Sequence, residues 1–345
     1  MTTFSAAELK NAWPLQALEM VCNCPYCGAV EKTLVYQDVQ DWSFGCAAGR
    51  WNYWACGACQ ALYLNPRPTP DTIGDAYGRY YTHAPELGMS FLSAIKQRLK
   101  NEYWSLLFQT SITPRLGIPR WGAPFFRMLK PWVTEPFGLR QMVELPKGLL
   151  IDVGCGNGNT LKLARQLGWQ AFGIELDPSA VEVAKAQGLN VMQGSYEELA
   201  PYKGQADCIV CSHVLEHVHH PLRLLGLLLD ALKPAGVLLL SAPNASSYLR
   251  DRYGENWRGL EAPRHLALPD AAWLMNWLRL QGFDCSQIPS SDRVMMIESE
   301  RIRRRGLSTE LSDVKAARKV ARTTLHPSRP GKQDIVQIIC TRTRT

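Results

Sequence analysis

The spacing of apolar positions changes along this chain, and the change divides it. From about Lys147 onward, short apolar runs alternate with stretches whose apolar residues recur every three to four positions, which predicts strands followed by helices. Leu149 to Val153 is the first strand; Gly154, Gly156 and Gly158 follow it, and Thr160 to Leu167 is a helix closed by Gly168. The second strand, Ala171 to Ile174, ends in Glu175. Asp177-Pro178 then caps a helix whose Ala180, Val183 and Ala184 share one face before Gly188. Further strands are expected at Asn190 to Met192, Asp207 to Cys211 and Val237 to Ser241, with an apolar helix at Pro221 to Lys233. Ala271 to Leu280 reads as another helix, and Asp284 to Ile288 and Ile335 to Thr341 as closing strands. The pattern predicts an α/β fold with a doubly wound, seven-stranded, mostly parallel sheet.

The first 146 residues follow no such alternation. Thr33 to Tyr36 and Trp51 to Trp54 suit a small β-hairpin, and Leu64 to Pro70 is a proline-stiffened linker. Asp71 to Tyr81 and Ser90 to Gln109 read as helices; Pro114 to Pro136 is broken by prolines and carries Trp121, Phe125, Phe126 and Trp132. Three parts are therefore expected: a small ribbon at 1–66, a helical linker or lid at 67–146, and the α/β domain at 147–345 with a basic helical insertion at about 291–332.

Composition narrows the setting. At 46% hydrophobic and 20% charged the chain is ordinary for a globular protein, and no apolar run reaches the length that spans a bilayer. Met1 to Leu18 lacks the basic start and apolar core of a secretion signal, so a cytoplasmic location is expected. The net charge of +7 sits in the tail, where Arg301 to Thr345 holds twelve Lys or Arg against three Asp or Glu. That excess is either a solvated face or a handle for an anionic partner such as nucleic acid.

Among eleven cysteines, the N-terminal part carries two C-x-x-C pairs, Cys24 with Cys27 and Cys56 with Cys59. Four thiolates on two tight turns are the ligand set of a structural zinc ribbon, with no open position for chemistry. Such a module is too small to bury a core of its own, so metal is expected to support it. Cys22 and Cys46 are spare and remain possible substitute ligands.

The turn after the first strand reads Asp152-Val153-Gly154-Cys155-Gly156-Asn157-Gly158. A nicotinamide-binding turn would have a third glycine where Asn159 stands. The sequence instead resembles motif I of the class I S-adenosylmethionine (SAM)-dependent methyltransferases. That resemblance implies a SAM site: Asp152 with Gly154, Cys155, Gly156, Asn157 and Gly158 at the methionine end, Glu175 and Leu176 at the ribose, and Gly194, Ser195 and Tyr196 at the adenine. Gly194 and Ser195 serve equally well as a plain turn.

After the fourth strand stands Ser212-His213-Val214-Leu215-Glu216-His217, which resembles the corresponding motif of ubiquinone-biosynthesis methyltransferases. Tyr253 to Leu266 is similar to the substrate-side loop of a bacterial methyltransferase group with an N-terminal zinc ribbon. The resemblance implies Ser212 and His213 at the cofactor. It implies His217, His265, Glu216 and Arg264 as the catalytic side, with a histidine as base, while Arg264 and Arg258 either clamp an anionic group of the acceptor or pair with Glu255 and Glu261. A divalent cation at His213, Glu216, His217 and His265 is the competing reading, since some relatives hold one there. The expected function is methyl transfer to a small-molecule, sugar or lipid-linked acceptor, at a hydroxyl. A nucleic-acid-directed enzyme and a non-catalytic SAM-binding scaffold stand as alternatives.

Overall fold

The computed structural model describes residues 13–77, 91–118, 124, 135–304 and 331–343. The aromatic cluster of Trp121, Phe125, Phe126 and Trp132 and most of the basic insertion lie outside them. Two compact units emerge: Met1–Tyr80 with Ser212–Gly226 and Leu240–Thr345, and Tyr81–Cys211 with Leu227–Leu239.

The first unit opens with β1 (Leu18–Glu19), β2 (Lys32–Val39), β3 (Trp51–Cys56), β4 (Leu62–Leu64) and β5 (Arg67–Pro68). β2 and β3 form the expected hairpin, with Lys32 opposite Cys56 and Val39 opposite Trp51 and two register shifts between. The two C-x-x-C turns are closed by backbone bonds, Gly28 N–H to Cys24 O at 2.9 Å and Gln60 N–H to Cys56 O at 3.2 Å. Both turns need a left-handed residue, supplied by Gly28 (φ 75°) and Gln60 (φ 59°).

In the second unit the chain enters β6 (Leu149–Val153), β7 (Gln170–Glu175), β8 (Val191–Gln193) and most of β9 (Ala206–Ser212). Four of the five β6 residues are buried, as a strand covered on both faces requires. The helix Pro178–Ala186 starts as its sequence predicts, with Asp177 accepting from Ser179 N–H and proline in the first turn. The helix expected to run to Lys233 ends at Ala231, and β10 (Leu232–Pro243) already begins before Pro234-Ala235-Gly236.

The remaining strands are β11 (Ala267–Leu268), β12 (Phe283–Gln287) and β13 (Ile335–Arg342). Seven strands make one sheet in the order β12-β13-β10-β9-β6-β7-β8. β6 runs parallel to β7 and β9, and β12 is antiparallel to β13. The expected doubly wound sheet is therefore present. Between the closing strands, Arg293–Arg303 is helical, as the insertion's pattern predicts for its first part.

The ribbon has a feature its sequence does not announce. Its four-stranded sheet runs β11-β4-β3-β2, so the last strand comes from residues 267–268. Trp51, Tyr53, Leu62 and Leu64 share a buried cluster with Leu249, Trp257, Leu260, Leu266 and Met296. Each such side chain contributes about 1.5–3 kcal/mol by leaving water. A core borrowed from the C-terminal part of the same unit thus supports the ribbon.

Candidate active site

In the second unit, β6 delivers its chain into a turn at Gly154, Gly156 and Gly158, with φ of 71°, 53° and 81°. Only glycine adopts three such angles in succession without strain. At Gly158 a Cβ would also meet Leu189 Cδ1 at 2.3 Å. The turn is pinned to β7: Gly154 N–H donates to Ile174 O at 2.8 Å and Gly156 N–H to the Glu175 carboxylate at 2.7 Å. Glu175 also accepts from Asp177 N–H at 2.9 Å, so both carboxylate oxygens organise backbone. Each retains lone-pair capacity for a further donor.

Asp152 lies behind the turn, 3% exposed. Burial first, and then the neighbouring Glu175 charge, push its carboxyl up to about 8. Cys155 is buried and Asn157 half-buried in the turn. Leu176 is 69% exposed just past β7, an apolar surface where the resemblance expects the ribose and adenine end. Gly194 N–H donates to Glu175 O at 2.9 Å, and Ser195 Oγ caps the following turn by accepting from Glu197 N–H at 3.2 Å. Tyr196 begins that 3-10 helix. The structure thus brings Asp152, the glycines, Glu175 and Gly194 together, and gives Ser195 a local structural task.

In the first unit, the residues after β9 gather around a buried carboxylate. Ser212 ends the strand, and His213 takes φ 57°, rare for a residue with a Cβ. Its Nδ1 donates to Glu216 Oε1 at 3.0 Å. Glu216 is wholly buried, and its Oε2 has no hydrogen-bond partner among the described residues. Burial is the largest single influence and raises its carboxyl, but the His213 hydrogen bond and the neighbouring histidines together outweigh it and hold the carboxyl below the ordinary range.

His217 Nδ1 lies 3.0 Å from Tyr77 Oη and 3.1 Å from Arg264 O, and His265 Nδ1 lies 2.7 Å from Gly259 O. A carbonyl only accepts, so in both rings Nδ1 carries the proton that points at it. Burial drives His265 down to about 4, which leaves it neutral at pH 7. The two rings meet edge-on, 4.7 Å between centroids. Glu216, His217 and His265 each offer a ligand atom within 4.8 Å of the others, a set that could hold a metal ion.

Arg264 occupies a different position from the exposed clamp its charge suggests. It is fully buried, with Nη1 3.0 Å from Asp41 Oδ2 and 2.9 Å from Ala76 O, and Nε 3.1 Å from Glu261 Oε1. Asp41 in turn accepts from the backbone of Phe44, Cys46 and Ala47. Arg258 completes the group by pairing with Glu261. Tyr53, from the ribbon's central strand, donates to His265 O at 2.9 Å. Neither Tyr53, Tyr77 nor Asp41 carries a sequence signal; only their place in the fold reveals them.

The four cysteines of the two pairs converge, with Cys24 Sγ 3.5 Å from Cys59 Sγ and Cys27 Sγ 3.4 Å from Cys56 Sγ. Sulfurs around a tetrahedral zinc with bonds near 2.3 Å stand about 3.8 Å apart, so the cluster fits that ion. Cys46 sits with Asp41 and Arg264, and Cys22 is exposed; neither belongs to the group of four.

Residues 137–288 match the family model described as a methyltransferase domain. The ubiquinone biosynthesis O-methyltransferase of Xanthomonas campestris is 38% identical over 109 residues, which is 30% of this chain and 46% of that protein. Its namesake from Xanthomonas oryzae is 36% identical over the same shares. The chain therefore spans a little under half the length of the curated relatives it matches. A solved SAM-dependent methyltransferase from Archaeoglobus fulgidus aligns with 64% of this chain and 99% of its own, at 16% identity and a TM-score of 0.41. The α/β part is a class I SAM-dependent methyltransferase domain.

Proposed function

We propose that this chain transfers the methyl group of SAM to a hydroxyl oxygen of a small-molecule acceptor. The observation that carries the reading is the buried Glu216 Oε2 without a partner among the described residues, beside two imidazoles whose Nδ1 protons are already committed. A buried acceptor left unpaired costs about 1–3 kcal/mol, so such a cluster is built to meet an occupant. The curated relatives are named O-methyltransferases, which agrees with an oxygen acceptor.

The chemistry is an in-line displacement. The acceptor oxygen forms a bond to the sulfonium methyl, the carbon–sulfur bond breaks, S-adenosylhomocysteine leaves, and the acceptor's proton passes to a base. The leaving group is already good, so the chain's work is alignment and exclusion of water. Gly154, Gly156 and Gly158, whose own N–H groups are spent inside the turn, let the methionine end approach the main chain with no Cβ in the way, with Asp152 the ammonium contact and Glu175 with Leu176 the ribose. Ser212 and His213 are the further cofactor contacts that the family resemblance implies. His217 or His265 receives the proton on Nε2. Arg264, spent on Asp41 and Glu261, positions the loop that carries His265. Zinc at Cys24, Cys27, Cys56 and Cys59 holds the ribbon.

One feature favours a divalent cation in the cluster over a bare histidine base. His217 and His265 each direct Nδ1–H at a backbone carbonyl, which is how ligating histidines are oriented. Glu216, His217 and His265 would hold the ion, and it would lower the pKa of the acceptor hydroxyl.

The transfer reading is tested with the full chain, methyl-labelled SAM, and a panel of phenols, catechols and sugars, with RNA in parallel. Label in a small-molecule hydroxyl is expected. Label in RNA alone, or S-adenosylhomocysteine binding with no transfer, overturns it. Counting metals in wild type and His265→Ala separates cation from base: about two equivalents falling to one supports the cation. One zinc in both leaves the histidines as base.

A further inference from the structure

The four-cysteine centre and the Glu216 cluster belong to one compact unit, and a short series of hydrogen bonds joins them. Tyr26 stands inside the first C-x-x-C turn, between Cys24 and Cys27. It is 1% exposed, and its hydroxyl donates to Ala267 O at 3.2 Å. Ala267 pairs with Tyr63 in the ribbon's own sheet, and Leu64 N–H donates to Leu266 O at 2.9 Å. Leu266 N–H then donates to Glu216 O at 2.7 Å. His265 is the residue just before Leu266, and its carbonyl is held by Tyr53 of β3. On the other flank, Tyr77 meets His217 Nδ1, and Asp41, from the loop between β2 and β3, grips Arg264.

Tyr53, Tyr77 and Asp41 thus tie the surroundings of His217 and His265 to the ribbon or to the turn that follows it, while Gly259 O holds His265 Nδ1 from within its own loop. We propose that the metal-bound ribbon is a positioning element for the Glu216–His217–His265 cluster: it fixes Tyr26 and β4, and through them where Glu216 and His265 stand. Tyr26, Tyr53 and Tyr77 are positioning residues, since each acts on the cluster through a hydroxyl. Occupancy of the four-cysteine site then governs acceptor-side chemistry while the glycine-rich turn of the other unit keeps its affinity. The inference rests on the cluster being the acceptor side, but its test needs no acceptor, so failure of the transfer reading is read separately.

The experiment uses the full zinc-loaded chain labelled with nitrogen-15 on histidine. Two-bond proton–nitrogen spectra report the tautomer and surroundings of each imidazole, and calorimetry with S-adenosylhomocysteine reports the cofactor side. In wild type, His217 and His265 should each give one sharp set with the proton on Nδ1. Tyr26→Phe keeps the ring and its edge-on contact with Trp273 at 5.7 Å, and removes only the hydroxyl. His265 signals are expected to shift or double in this variant, while cofactor affinity stays within about twofold. Chelating the ribbon metal should broaden both histidines and again spare the cofactor side. Tyr77→Phe, which removes the hydroxyl beside His217 Nδ1, should move that ring and leave His265 in place. Histidine signals unchanged in both Tyr26→Phe and the chelated chain overturn the proposal. Should chelation unfold the whole chain, and cofactor binding vanish with it, Tyr26→Phe decides alone, because it retains the metal.

Discussion

The glycine-rich turn after β6 is held by main-chain groups and the Glu175 carboxylate within residues 154–177, all close in sequence. The cluster around Glu216 is held by side chains and carbonyls from residues 41, 53, 77, 213–217 and 259–266. The two regions also treat a buried carboxyl in opposite ways. Asp152 has a second carboxylate, Glu175, as neighbour, and burial and repulsion both raise it to about 8. Glu216 has a histidine donor and further histidines around it, and together they overcome burial and lower its carboxyl. Burial alone therefore does not decide whether a carboxyl is charged; the partner does. The first region is sensitive to shape, and the second to the identity of remote partners.

The largest effect should come from breaking the shape of the first. Gly158→Ala forces a side chain at φ 81° and into Leu189. Strain and overpacking together should cost about 2–4 kcal/mol, read as a lower urea midpoint and loss of S-adenosylhomocysteine binding. Normal binding by this variant would mean the turn is not where the cofactor sits.

A moderate effect should follow pH. Between the ordinary aspartate value and about 8, folded Asp152 keeps a proton that the unfolded chain has released, so stability falls as pH rises through that window. Asp152→Asn removes this component. Urea midpoints at about pH 5.5 and about pH 8 should differ less in the variant than in wild type. Equal slopes would place the Asp152 carboxyl in its ordinary range and erase the contrast with Glu216.

The smallest effect separates two roles of one residue. Ser195→Ala removes the cap on Glu197 N–H and should cost about 0.5–1 kcal/mol of stability. Cofactor affinity should hardly change, because the cap is local. A clear loss of affinity would give Ser195 back its place at the adenine.

The same contrast explains what was legible in the sequence. The sheet, the turn at Gly154 to Gly158 and the two C-x-x-C turns are local patterns, and local patterns survive in a linear string. Glu216, His217 and His265 were legible as chemistry, through the histidines that follow β9 and the later loop. Their supports were not. Tyr77 and Tyr53 read as ordinary aromatic residues, and Asp41 as part of a loop. Arg264 reads as an exposed anion clamp until burial and its bonds to Asp41 and Glu261 are seen. Long-range partnership of side chains has no period, so no spacing rule finds it.

The borrowed strand β11 also sets a schedule for synthesis. Residues up to Leu64 emerge first, yet the strand that closes their sheet follows about two hundred residues later. At roughly 5–20 residues per second the nascent ribbon waits about 10–40 s with one edge of β4 open and Leu62 and Leu64 uncovered. An open edge of that kind invites pairing with other chains. Early capture of zinc would keep the two knuckles in register through this interval, so metal supply during translation bears on how much of the chain reaches its final form.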